Sequence, residues 1–132
     1  MKTFISLTAI VFAISTLLTA AEPMQVVWQT DKPASNHSQF ITTGNVPSGS
    51  IIRVRIVKTS SVFLRIGNQT FRKHDAGQVL EHKLDSTRKA SIDLGGQNFW
   101  ENAASATQQE NGVWLLQWEK SSLEVKILPP DF

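Results

Sequence analysis

At 132 residues, with a formal net charge of +2 and 41% hydrophobic residues, the chain has the length of one domain with a modest core. Its near balance of charge argues against nucleic acid or anionic lipid as the main partner, since both select clustered positive charge. There is no cysteine, which excludes disulfides, thiolate metal sites and thiol chemistry, and leaves stability to burial and sheet pairing.

Residues 1–21 read as a secretory signal peptide. Lys2 supplies the positive end, Phe4 to Leu18 a mostly apolar run, and Thr19-Ala20-Ala21 the small residues a signal peptidase reads. Cleavage after Ala21 gives a secreted chain starting at Glu22. The apolar run is shorter than the roughly 20 residues that span a bilayer, and no other run approaches it, so no membrane span is expected after cleavage.

Gln25–Thr30 (QVVWQT) is the first expected strand, bounded by Pro23 and by Asp31-Lys32-Pro33. Residues 31–39 are turn-like, Phe40–Thr43 is a short strand, and Gly44 to Ser50 is a dense run of turn residues. Ile51–Lys58 (IIRVRIVK) is the clearest strand. Ile52, Val54 and Ile56 fall on one face; Arg53, Arg55 and Val57 fall on the other and form a solvated face. Ser61–Ile66 follows after Thr59-Ser60, so the two are expected to form a hairpin, closed by Gly67-Asn68. Gln78–Leu84 is a further strand candidate, and Asp85 to Lys89 is charged and loop-like.

The stretch Ser91–Ser105 (SIDLGGQNFWENAAS) organises the rest. Ile92 and Leu94 alternate with Ser91 and Asp93 as in a strand with one buried face. Gly95-Gly96 breaks that strand, and an amide-rich aromatic loop follows with Asn98, Phe99, Trp100 and Asn102. Gly95, Gly96, Asn98, Trp100, Asn102 and Ser105 are therefore the candidate ligand-binding residues. In the alternative, the glycine pair is only a turn and Trp100 only core. Glu101–Gln109 is the one stretch with weak helical character. Asn111-Gly112 is a turn pair, and Val113–Glu119 with Leu123–Leu128 reads as a closing hairpin, ended by Pro129-Pro130. Trp114 and Trp118 share a face, so at least one is expected to be buried. Short strands between regular turn signals specify an all-β fold, a single antiparallel β-sandwich or jelly-roll-like domain over residues 22–132.

The order of parts resembles the domain family named after farnesoic acid O-methyltransferase. Arg53–Ile66, Ile92-Asp93-Leu94-Gly95-Gly96, Trp100-Glu101-Asn102-Ala103-Ala104-Ser105, and Val113 to Trp118 with Leu123-Glu124-Val125 carry the likeness, over residues 51–128. The resemblance implies a secreted all-β recognition module, sugar- or lipid-binding. The family name suggests a methyltransferase, yet no glycine loop opens a helix within a βαβ frame here, as an adenosyl donor normally needs.

The chemistry-bearing residues are sparse. His74 and His82 are eight apart with Asp75 and Asp85 near them, wider than a zinc pair prefers, and no metal or cofactor is expected. The carboxylates read as scattered and solvated; Asp93 and Glu101 flank the central loop, a weak signal for calcium. Asn36-His37-Ser38 and Asn68-Gln69-Thr70 are glycosylation sequons in a eukaryotic source. The expected function is a non-enzymatic, lectin-like recognition module for an extracellular glycan, lipid or protein, with Trp100 and Trp114 or Trp118 as aromatic contacts. The alternatives are a small methyltransferase, or a protein-binding structural or effector domain.

Overall fold

Residues 27–30, 37–59, 63–96 and 104–130 are described by the computed structural model of the chain. They form ten strands: β1 (Trp28–Thr30), β2 (His37–Val46), β3 (Ile51–Lys58), β4 (Phe63–Ile66), β5 (Gln69–Phe71), β6 (Val79–Lys83), β7 (Arg88–Gly95), β8 (Ser105–Gln108), β9 (Trp114–Gln117) and β10 (Ser122–Leu128). Two antiparallel five-stranded sheets result, one in the order β1-β2-β7-β4-β5 and the other β6-β3-β10-β9-β8. The fold is the all-β sandwich that the alternation implies. The segment 1–21, Asn36 and the residues Asn98, Trp100 and Asn102 lie outside the described residues.

The core lies between the sheets and follows from period-two alternation. Phe40, Leu64, Ile66, Ile92 and Leu94 from the first sheet face Ile52, Val54, Ile56, Leu116, Leu123 and Val125 from the second, all buried. Each such aliphatic side chain contributes about 1.5–3 kcal/mol by leaving water. The ring of Trp118 stands edge-on to that of Phe40, with centroids 4.4 Å apart and planes at 79°, a favoured geometry for aromatic quadrupoles. Trp118 is buried and Trp114 packs partly buried against the core, as their shared face requires.

Several boundaries differ from expectation. β3 and β4 are not a hairpin: they belong to opposite sheets. Ile52, Val54 and Ile56 on one side and Leu64 and Ile66 on the other then face the same core; β3 pairs with β6 and β10, while β4 pairs with the distant β7 and, through a two-residue turn, with β5. Gly44-Asn45-Val46 is strand rather than turn. Thr42 explains why it continues. Its hydroxyl accepts the Ala90 N–H at 2.9 Å and donates to the Gly44 carbonyl at 2.8 Å, at the register irregularity between Ile41 and Asn45. The side chain thus satisfies a ladder donor across the bulge. Arg88 and Lys89, expected in a loop, open β7. Ser105–Gln108 is strand, not helix; its pairing with β9 settles a stretch without strong local preference.

Both glycine-bearing hairpin turns follow their expected chemistry. Gly67 has φ +62 at the first central position of the two-residue β4–β5 turn, where a glycine is favoured. A Cβ there would lie 2.7 Å from the His82 ring. That ring bridges the sheets, with its Nδ1 3.0 Å from Gln69 Oε1. Asn111 and Gly112 both have positive φ, 60 and 73, in the turn between β8 and β9.

Candidate functional site

Strand register sets which connections share an end. The ends of β1, β3, β7 and β9 and the starts of β2, β4, β8 and β10 lie together. The described residues that flank the connections 31–36, 59–62 and 96–104 therefore gather at one end of the sandwich, with the connections 72–78 and 118–121. The turns 47–50, 67–68, 84–87 and 109–113 occupy the other.

Gly95 closes β7, the middle strand of its sheet, between His37 of β2 and Phe63 of β4. Gly96 then leaves the sheet at φ +140, a backbone conformation that side chains other than glycine rarely adopt. The connection enters the other sheet at Ser105, which is exposed at the start of the edge strand β8 and paired with Gln117. The structure thus brings Gly95, Gly96 and Ser105 to the same end, on different sheets. Asn98, Trp100 and Asn102 belong to the intervening residues that are not described. Trp118 is buried in the core at this end, so it is not a surface contact, and the partly buried Trp114 starts β9 at the opposite end.

The side chain that sequence reasoning undervalued is Asp93. Ile92 and Leu94 point into the core, so Asp93 points to the outer face of the sheet, opposite Gln39 and Arg65. It was expected to be solvated. It is instead only 5% exposed. The half-exposed Arg65 approaches it, Nη1 to Oδ2 at 3.8 Å, and the Arg65 guanidinium lies 5.8 Å from the centre of the Phe63 ring, within cation–π range. A carboxylate, a guanidinium and an aromatic ring thus share the outer face two residues from the glycine pair.

His74 sits in the connection 72–78 at this same end. Both ring nitrogens are buried and lack a hydrogen-bond partner. Burial holds its pKa below the ordinary 6.5, against the opposing pull of Asp75. His82 is also held below 6.5, by burial first, with Asp85 opposing and Arg88 adding to the effect. The two do not converge on a metal site: among the described residues no group of three or more His, Asp or Glu side chains could hold an ion. Asn68 is exposed in its turn.

The opposite outer face, on the second sheet, carries Arg53 and Arg55. They are half-exposed and engaged in cross-strand ion pairs, Arg53 Nε to Glu81 Oε2 at 2.5 Å and Arg55 with Glu124. A shallow groove of about 200 Å³ runs among Arg53, Arg55, Val79, Val113, Glu124 and Lys126. Among the described residues no helix is long and apolar enough to cross a membrane.

No family model matches the chain, and no curated protein or solved structure matches it at a significant level.

Proposed function

We propose that this chain is a secreted, non-enzymatic recognition module that binds carbohydrate at the end of the sandwich where Gly95-Gly96 leaves β7. The observation that carries this reading is the buried Asp93 on an outer sheet face, beside Arg65 and Phe63, at the root of the 96–104 connection. A carboxylate shielded from bulk water accepts hydrogen bonds from sugar hydroxyls more strongly than a solvated one. A guanidinium donates to ring and hydroxyl oxygens, and an aromatic face covers the apolar side of a pyranose. Asn98, Asn102 and Ser105 add amide and hydroxyl partners, and Trp100 a second stacking surface. The described connections 72–78 and 118–121 lie at this same end, and sandwich domains place recognition loops on a rigid scaffold in this way.

The test is a glycan array probed with the secreted chain and two variants. Asp93→Asn keeps the shape of the side chain and removes its charge; binding to the selected glycan should fall at least about tenfold, with melting temperature little changed. Trp100→Ala should remove binding at small cost in stability. A loss of about 3–5 kcal/mol in that variant would instead place Trp100 in the core. Absence of any saturable glycan binding would overturn the carbohydrate reading.

A further inference from the structure

The groove on the second sheet carries an electrostatic arrangement that folding alone does not favour. Its floor is the sheet itself at Val125, and Val79 and Val113 supply apolar walls. The register places Arg53 directly opposite Glu81 on one side and opposite Lys126 on the other, while Arg55 lies opposite Val79 and Glu124. Each arginine takes one carboxylate, Arg53 that of Glu81 and Arg55 that of Glu124. Lys126 has no carboxylate partner among the described residues. Its cross-strand neighbour is the cation Arg53. Like charges directly opposite on adjacent antiparallel strands are destabilising.

We infer that this groove is a second binding site, separate from the sandwich end, for a small amphipathic monoanion: one carboxylate on a compact apolar body. The acid group sits between Lys126 and Arg53, where it relieves their repulsion without displacing either existing ion pair. With Glu81, the partner of Arg53 beside the groove, counted against it, the two arginines and one lysine meet two glutamates, which leaves one positive charge in excess, and a single negative charge neutralises it. The apolar body lies against Val113, next to Lys126 in the β9–β10 register, and over the aliphatic stem of Arg53, which covers apolar surface while its head stays wet. At about 200 Å³ the groove is below the roughly 300–1,000 Å³ of sites for drug-sized ligands, so the occupant is small. A polyanion is disfavoured, because Glu81 and Glu124 flank the cationic centre and would repel further negative charge.

The probe is 3-phenylpropionate, titrated into the isotopically labelled protein and followed by amide chemical shifts, with neutral 3-phenylpropionamide as its uncharged counterpart. Saturable shifts are expected at Arg53, Val113 and Lys126, with little change at Gly95, Gly96 and Ser105. The amide should bind about tenfold more weakly, the loss expected when one charge-assisted contact is removed. Lys126→Met, at a partly exposed position, should weaken the carboxylate to the level of the amide and leave the amide unaffected. Arg53→Gln serves as a second variant and should act in the same direction. Equal binding of acid and amide, full affinity in both variants, or shifts confined to the Gly95 end would each overturn the inference, as would the absence of saturable shifts.

Discussion

The middle strands of the two sheets, β7 and β10, follow the same rule on one side and opposite rules on the other. Inward, Ile92 and Leu94 match Leu123 and Val125, all buried in one core. Outward, β10 shows Glu124 and Lys126 to solvent, partly exposed and tied into or beside cross-strand ion pairs. β7 instead shows Asp93 and Gly95, and both are buried. Alternation therefore tells which side of a sheet a residue faces. It does not tell whether that side is wet. The first sheet has an outer face that is partly covered where its middle strand meets the glycine pair, and there a polar group is held away from water.

The largest effects should be equal on the two strands. Ile92→Ala and Leu123→Ala each remove a fully buried aliphatic side chain and should each cost about 2–5 kcal/mol in denaturant unfolding. With a total stability of about 5–15 kcal/mol for a domain, either variant approaches the limit of folding. A loss below about 1 kcal/mol at one of them would show that its sheet contributes little to a shared core.

The outward positions should separate the strands. Asp93→Ala empties a buried polar site and should cost about 1–3 kcal/mol, since the groups packed around the carboxylate lose their partner. Glu124→Ala breaks a solvent-screened pair and should cost about 0–1 kcal/mol. Equal losses would mean that Asp93 is no better shielded than the groups on β10, and the contrast between the faces would fail.

How much of this was legible in the sequence depends on the range of the contacts involved. Ile51–Lys58 declares itself, because its alternation and its flanking turns are local. Asn111-Gly112 and Gly67-Asn68 likewise carry their turn chemistry in two residues. The placement of β3 and β4 on opposite sheets was not legible. A crossing between sheets and a hairpin leave the same pattern of two short strands and a brief polar link. Ser105–Gln108 has no apolar alternation, and only its pairing with β9 makes it a strand. The burial of Asp93 depends on what packs over the outer face, which no local pattern encodes; its one signal was its position two residues before Gly95-Gly96.

A smaller effect concerns the pH response of the connection 72–78 and the sheet edge at β6. The imidazoles of His74 and His82 both have pKa values held below 6.5 in the folded chain by burial. The unfolded chain therefore takes up these protons first as pH falls through 6.5. Stability contributed by the neutral rings is complete above that value, declines below it, and is fully lost beneath the folded pKa values. Melting temperature should thus drop on acidification from about pH 7 to about pH 5. In His82→Gln, which can still meet Gln69 across the sheets, part of that drop should disappear. An unchanged slope would mean that His82 is as hydrated as in the unfolded chain.

The smallest expected effect has the opposite sign. Lys126 faces Arg53 across β10 and β3 and has no carboxylate of its own among the described residues. Lys126→Thr removes the like-charge contact and places a β-branched residue of good strand propensity at the same point. It should raise stability by about 0.2–1 kcal/mol at low ionic strength, and the gain should shrink as salt screens the pair in the unmodified chain. A parallel Asp93→Thr change on β7 should lower stability, since there the charged group is shielded and integrated into its surroundings. The outer face of the second sheet would then be the one that gives up stability for an unneutralised cation, and the outer face of the first the one that protects its charge. A loss of stability in Lys126→Thr would mean that the lysine stem, and not its charge, dominates at this position, and would remove the electrostatic reason for reading the groove as an anion site.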